Sequence, residues 1–223
     1  TRHINGAFEL LHMRMAVNGF RVRWELHTEF VTWTFSRVLD DASLASTPPP
    51  SAREVLPQDW LAALPGQCLS QTHLWLLSAQ AQGHDDLVRR CLNPDELIGS
   101  TVADGLGEVY TDLQLHADGA VRIVLQVGSA TPRRMGRLVQ RLLEIETYRM
   151  TALLGLPAAR EATAVLASAE GELAELAAAI RSAQREAEPQ LLDRLTRLAG
   201  QVESQYAASH ARFSASAAYF ELV

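Results

Sequence analysis

The sequence predicts an α+β protein, a small mostly antiparallel sheet domain followed by long helices that form an antiparallel helical hairpin. Three observations carry this. Apolar and polar residues alternate in the first half, as in Phe20, Val22, Trp24 and Leu26 against Arg21, Arg23 and Glu25. Prolines and glycines punctuate the same half densely, with Pro48-Pro49-Pro50, Pro57 and Pro65-Gly66. From Thr131 onward the apolar period changes from two to about 3.6 and stays there. The expected division is a sheet domain over 1–130 and a helical domain over 131–223, with a helix at about 131–154 and a hairpin at about 157–223.

Residues 1–18 suit either a short helix or an edge strand through Leu10, Leu11, Met13 and Met15, before a turn at Asn18-Gly19. The stretch from Phe20 to Val38 is strand-like. After Thr28 its apolar parity slips to Phe30, then Val31, Trp33 and Phe35, which implies a bulge or tight turn near His27 to Phe30. Residues 40–58 read as loop. Asp59 to Leu64 reads as one helical turn capped by Asp59. Gln67 to Ala79 is a strand candidate, and 80–100 is polar and turn-rich. Glu108 to His116 and Ala120 to Val127 form a hairpin about His116-Ala117-Asp118-Gly119. Thr131-Pro132 opens a helix as N-cap and first-turn proline, and Gly155 with Pro157 ends it. Ala162, Leu166, Ala169, Leu173, Leu176 and Ile180 then step by four and three, the seam of a coiled coil. Glu188-Pro189 marks a break. A second stripe follows: Leu191, Leu195, Leu198, Val202, Tyr206, Phe213, Ala217 and Phe220. A short break between two such stripes predicts antiparallel neighbours.

With 223 residues, 48% of them apolar, the chain can bury a sizeable core. Its formal charge of −6 argues against nucleic-acid partners. All 20 basic residues are arginine, a composition that fits coding bias. Cys68 and Cys91 stand apart with no second cysteine nearby, so neither a disulfide nor a zinc knuckle is expected. No apolar run reaches the roughly 18 residues of a membrane span. Thr1 and the final Tyr219-Phe220-Glu221-Leu222-Val223 read as cut ends of a longer chain.

Two groups of residues could carry chemistry. Arg23, Glu25, His27 and Glu29 share one face if the strand continues through them. A histidine with two carboxylates could take a divalent metal or do acid–base work, and a solvated face with cross-strand ion pairs is the plainer reading. Tyr110, Asp112, His116 and Asp118 gather at the hairpin, and His73 lies in an apolar strand. Convergence of His27, His73 and His116 would make a metal site. On the first long helix Arg137, Arg141, Glu144, Glu146 and Arg149 offer an anion site or a salt-bridge network, in which pairing with Arg23, Glu25 or Glu29 is possible. No phosphate loop, nucleophile elbow or zinc-protease motif is present, and the expectation leans away from an enzyme. No cofactor is indicated.

The segments Arg23-Trp24-Glu25-Leu26-His27-Thr28-Glu29-Phe30, Trp60-Leu61-Ala62-Ala63-Leu64-Pro65-Gly66 and Gly136 to Met150 resemble one bacterial family, the uncharacterised domain of unknown function three-four-two-two. So do Arg212-Phe213-Ser214-Ala215 and the last five residues. The resemblance implies a membrane-anchored protein on the cytoplasmic face of the inner membrane, with the anchor in segments outside this chain. It transfers no activity. The layout also resembles, in outline only, CorA-type magnesium channels. The expected role is non-enzymatic assembly or ligand sensing as a homo-oligomer. The alternatives are a metal-dependent enzyme or metal-sensing site, and a channel-like oligomer that senses a divalent cation.

Overall fold

The computed structural model describes residues 12–17, 19–78 and 84–223. The chain forms two compact units, 1–135 and 136–223. Leu10, Leu11, Asn18 and Ala79 lie outside the described residues.

The first unit holds two sheets. One is an antiparallel meander of β1 (His12–Val17), β2 (Phe20–Leu26) and β3 (Val31–Ser36). The parity slip at His27 to Phe30 is a tight turn, closed by a bond from the His27 amide to the Phe30 carbonyl at 2.9 Å. Register then sets Met13, Trp24 and Trp33 in one row and Met15, Val22 and Phe35 in the next, so one face is apolar. Trp60 closes edge-on over Trp33 and Phe35, at centroid distances of 5.2 and 6.0 Å. Trp60 sits on α2 (Gln58–Ala62), the expected helical turn. Its cap position is Pro57, and Asp59 falls inside the first turn. The stretch expected to be pure loop also contains α1 (Asp41–Leu44), where the Asp40 carboxylate accepts from the Ser43 amide at 2.7 Å.

The second sheet is mixed, in the order β4-β7-β6-β5. Its strands are β4 (Thr72–Ser78), β5 (Ile98–Val102), β6 (Gly107–Thr111) and β7 (Val121–Val127). β6 runs antiparallel to both neighbours, while β4 lies parallel to β7. A central strand shielded on both faces needs a nearly continuous apolar run, and β7 supplies it with Val121, Ile123, Val124, Leu125 and Val127 all buried. The core over this sheet comes from α3 (His84–Cys91), in the region read as polar and turn-rich. Leu87, Val88, Cys91 and Leu92 pack on Trp75, Leu77 and Val124.

The second unit is helical. α4 (Pro132–Ala152) opens with the Thr131 hydroxyl accepting from the Arg134 amide. A short 3-10 turn at Leu153–Gly155 leads into α5 (Leu156–Ser182), and α6 (Glu188–Phe220) returns beside α5. Pro157 and Pro189 both sit in first turns, where a missing N–H costs no intrahelical bond. They start helices here, and the break between α5 and α6 lies just ahead of Glu188. The hairpin closes around Leu176, fully buried, with Ala169 and Leu198 beside it and Leu191 and Val202 around them.

Candidate functional site

The two polar groups singled out in the sequence have different fates. Arg23 and Glu25 share a strand face and pair with each other. His27 and Glu29 do not join them, because β2 ends at Leu26 and the turn removes the period of two. The His27 ring stacks on Phe30 at 4.3 Å and lies 3.3 Å from the Thr32 hydroxyl. His73 and His116 belong to the other sheet region, on β4 and in the β6–β7 connection.

There two histidine–aspartate pairs form. The Asp112 side chain is fully buried. It accepts from the amides of Asn93 at 2.8 Å and Gln114 at 3.2 Å, and from His116 Nε2 at 3.0 Å. The second pair is His73 with Asp118, at 3.6 Å. Parallel register sets His73 beside Arg122, whose guanidinium donates to Asp118 at 3.2 Å and to the Cys91 carbonyl at 3.0 Å. On the other side the Gln71 amide donates to His73 Nε2 at 3.1 Å, and Arg53 holds Gln71 at 2.6 Å. Arg53, Gln71 and Arg122 are members that sequence reading missed. An arginine inside a β-branched strand carries no local sign of its partners.

Electrostatics follow from these contacts. Burial holds His73 below the ordinary imidazole range, only partly offset by Asp118, while Arg122 and Arg53 push the same way as burial. Burial would raise Asp118, but the Ala120 amide and the Arg122 guanidinium bring its carboxyl below the usual value. Burial pushes the Cys91 thiol up to about 11, so it stays protonated and unreactive near neutral pH. Among the described residues no three histidine, cysteine, aspartate or glutamate side chains are placed to share a metal ion. The network ties the 112–120 connection to β4 and to the end of α3. Its chemistry is that of a brace.

On α4 Glu146 is buried and takes a two-pronged bond from Arg149, at 2.8 and 2.9 Å. That partner raises the Arg149 pKa further. Glu144 takes Gln140 at 2.7 Å, and Arg137 and Arg141 are exposed.

The hairpin has two unlike sides. On one, Arg194 lies 3.8 Å from both Glu172 and Glu175. A groove there is lined by Ser168, Arg197, Gln201, Ser204 and Gln205. On the other, the expected seam is only half covered. Ala162, Ala169 and Leu176 are buried, whereas Leu166, Leu173 and Ile180 are 44%, 50% and 52% exposed. The same holds on α6, where Leu198 is buried and Leu195, Tyr206 and Phe213 are 39%, 59% and 39% exposed. The cause is the size of the contact residues. Alanines at 162 and 169 and a buried serine at 209 let the helices approach closely, and a Cβ on Gly155 would lie 2.5 Å from the Ser216 hydroxyl. The large side chains outside the Leu176–Leu198 cluster stay half-exposed on one flank.

A family model described as protein of unknown function (DUF3422) matches residues 3–223. The chain belongs to that family. No curated protein and no solved structure matches it. The DUF3422 match spans both units, so one family model covers the braced sheet and the hairpin. Among the described residues of this DUF3422 chain no helix is long and apolar enough to cross a membrane.

Proposed function

We propose that this chain is a non-enzymatic assembly module whose α5–α6 hairpin docks against another helical surface. One observation carries the reading. Six large apolar side chains, Leu166, Leu173 and Ile180 on α5 and Leu195, Tyr206 and Phe213 on α6, stay 39–59% exposed on one common flank, beside a contact filled by Leu176, Leu198 and small residues. An isolated hairpin gains little from that arrangement, since each leucine left half in water forgoes about half of the roughly 1.5–3 kcal/mol that full burial provides. The rest of the chain supports a structural role: the titratable groups at the four-stranded sheet hold loops in place, and the buried thiol is inert. The resemblance to a membrane-anchored bacterial family extends the proposal to a setting. The hairpin would then work at the cytoplasmic face of a membrane, held there through segments outside these residues.

Thiol accessibility tests this. Cysteine is placed at Leu173 on the apolar flank, or at Gln201 on the polar side, in a Cys68→Ser background of the full-length protein in cells. Labelling at 173 is expected to run about tenfold or more slower than at 201. Equal, fast labelling at both would sink the assembly role.

A further inference from the structure

We infer that the occupant of this flank is a second copy of the same hairpin, and that two chains close a four-helix bundle. The inference rests on the assembly reading and adds the identity and geometry of the partner.

Direction is the first support. With buried Ala162, Ala169 and Leu176 marking the line toward α6 and about 100° per residue, exposed Leu166, Leu173 and Ile180 centre about 40° from it. With buried Leu198 and Ser209 marking the line on α6, exposed Leu195, Tyr206, Phe213 and Phe220 centre about 50° from the line toward α5. Both offsets fall on the side away from the Arg194 ion pairs, because in antiparallel helices the same sense of rotation leads to the same flank. In a square of four helices the common centre lies about 45° off the line joining neighbours, and in a triangle of three about 30°. The hairpin thus has the apolar orientation of two adjacent corners of a square. The missing corners are two further helices, antiparallel and equally apolar on one flank, and this chain already supplies such a pair.

Area is the second support. At 1.5 Å per residue, the α5 half from Leu166 to Ile180 runs about 21 Å and the α6 half from Leu195 to Phe220 about 38 Å. With each helix about 10 Å wide, the flank offers about 600 Å² per copy. Two copies would bury about 1,200 Å² in total, at the lower end of stable interfaces.

Charge is the third. The outer rim of the flank carries both signs, with exposed Glu170 and Arg181 on α5 and exposed Glu203 on α6. A rim of one sign would repel its own copy, whereas this one can meet itself across a two-fold axis.

The test is sedimentation equilibrium of the full 223-residue chain, alone and as Leu173→Glu, Phe213→Glu, the double variant, and Gln201→Glu on the opposite side. The wild-type chain is expected to be a dimer. Each single change should weaken association by about 100-fold and the double variant should be monomeric, because an unpaired carboxylate would enter the bundle centre. Gln201→Glu should leave the dimer intact. Far-ultraviolet circular dichroism is recorded in parallel, and unchanged helix content shows that dissociation is not unfolding. If a charged variant does unfold, Leu173→Ala with Phe213→Ala gives the same readout without charge. A wild-type monomer overturns the inference. If Leu173→Cys is nonetheless protected in cells, another helical partner covers the flank and only the identity of the occupant is wrong. If it is reactive there too, the assembly reading falls as well. A trimer, or a dimer indifferent to both substitutions, also overturns the four-helix closure.

Discussion

The four-stranded sheet and the helical hairpin solve the same problem to different degrees. On the core side of the sheet, large apolar side chains are sealed: Leu87 of α3 and Val124, Leu125 and Val127 of β7 are all essentially inaccessible, while Leu76 and Ile98 on the outer strands stay 44% and 48% exposed. In the hairpin only Leu176 reaches that state, and its neighbours along the seam are half in water. Polar groups show the same contrast. Asp112 is enclosed and receives three donors, while the hairpin's ion pairs at Arg194 are exposed and long. The sheet region is finished as a fold. The hairpin is stable enough to form but leaves a flank whose completion has to come from elsewhere.

Truncation of a leucine gives the largest contrast. Leu87→Ala removes a sealed side chain from the α3 core, and about 2–5 kcal/mol of stability should go with it. Leu173→Ala, measured on the Phe213→Glu background at concentrations where that chain is monomeric, should cost under about 1 kcal/mol, since half of that side chain is already in solvent. Urea denaturation checks both, with tryptophan fluorescence for the first unit, which holds Trp24, Trp33, Trp60 and Trp75, and circular dichroism for the helices. A comparable loss at the two positions would erase the distinction between finished and unfinished regions.

Next in size is the buried carboxylate. Asp112→Ala strips the partner from the Asn93 and Gln114 amides and from His116, at a cost of about 2–4 kcal/mol. Asp112→Asn keeps an acceptor oxygen and should lose less. Urea midpoints of the two variants decide. A neutral Asp112→Ala would mean that the brace adds nothing to the 112–120 connection.

How far all this was legible depends on the range of the interaction. The turn at His27 to Phe30 showed itself because a one-residue slip moves every side chain to the other face, which leaves a mark in the residue pattern. The apolar run of β7 is likewise local, whereas Pro157 and Pro189 read as an end and a break although each sits in the first turn of the helix that follows. α3 was hidden because Leu87, Val88, Cys91 and Leu92 cover barely more than one turn, too short for a period to register. The brace was hidden for another reason. Arg122 meets Cys91 through a backbone carbonyl 31 positions away, and no side-chain pattern records a carbonyl. For the hairpin, periodicity located the stripe correctly but not which part of it the neighbour covers. That depends on the small residues at 162, 169 and 209, which set how close the helices come.

The smallest expected effect is a pH dependence confined to the sheet unit. His73 has an ordinary value near 6.5 when unfolded and a lower one when folded, burial being the main cause. Between those two values the unfolded chain holds more protons, so stability rises with pH there. The contribution is complete above about pH 6.5 and is lost as pH falls through the window toward the folded value. Asp118, lowered from 3.8, titrates below that window and does not blur it. The other shifted groups near the network, Cys91 among them, titrate far above it. His73→Gln keeps an acceptor for the Gln71 amide but removes the titration. Its urea midpoint should therefore change less than wild type between pH 7.5 and pH 5.5, by a margin of about a few tenths of a kcal/mol to 1 kcal/mol. Identical slopes would show that His73 gains its proton as easily in the folded sheet as in water. In that case the Asp118 carboxylate would offset the joint push of burial and the neighbouring arginines at that end of the sheet.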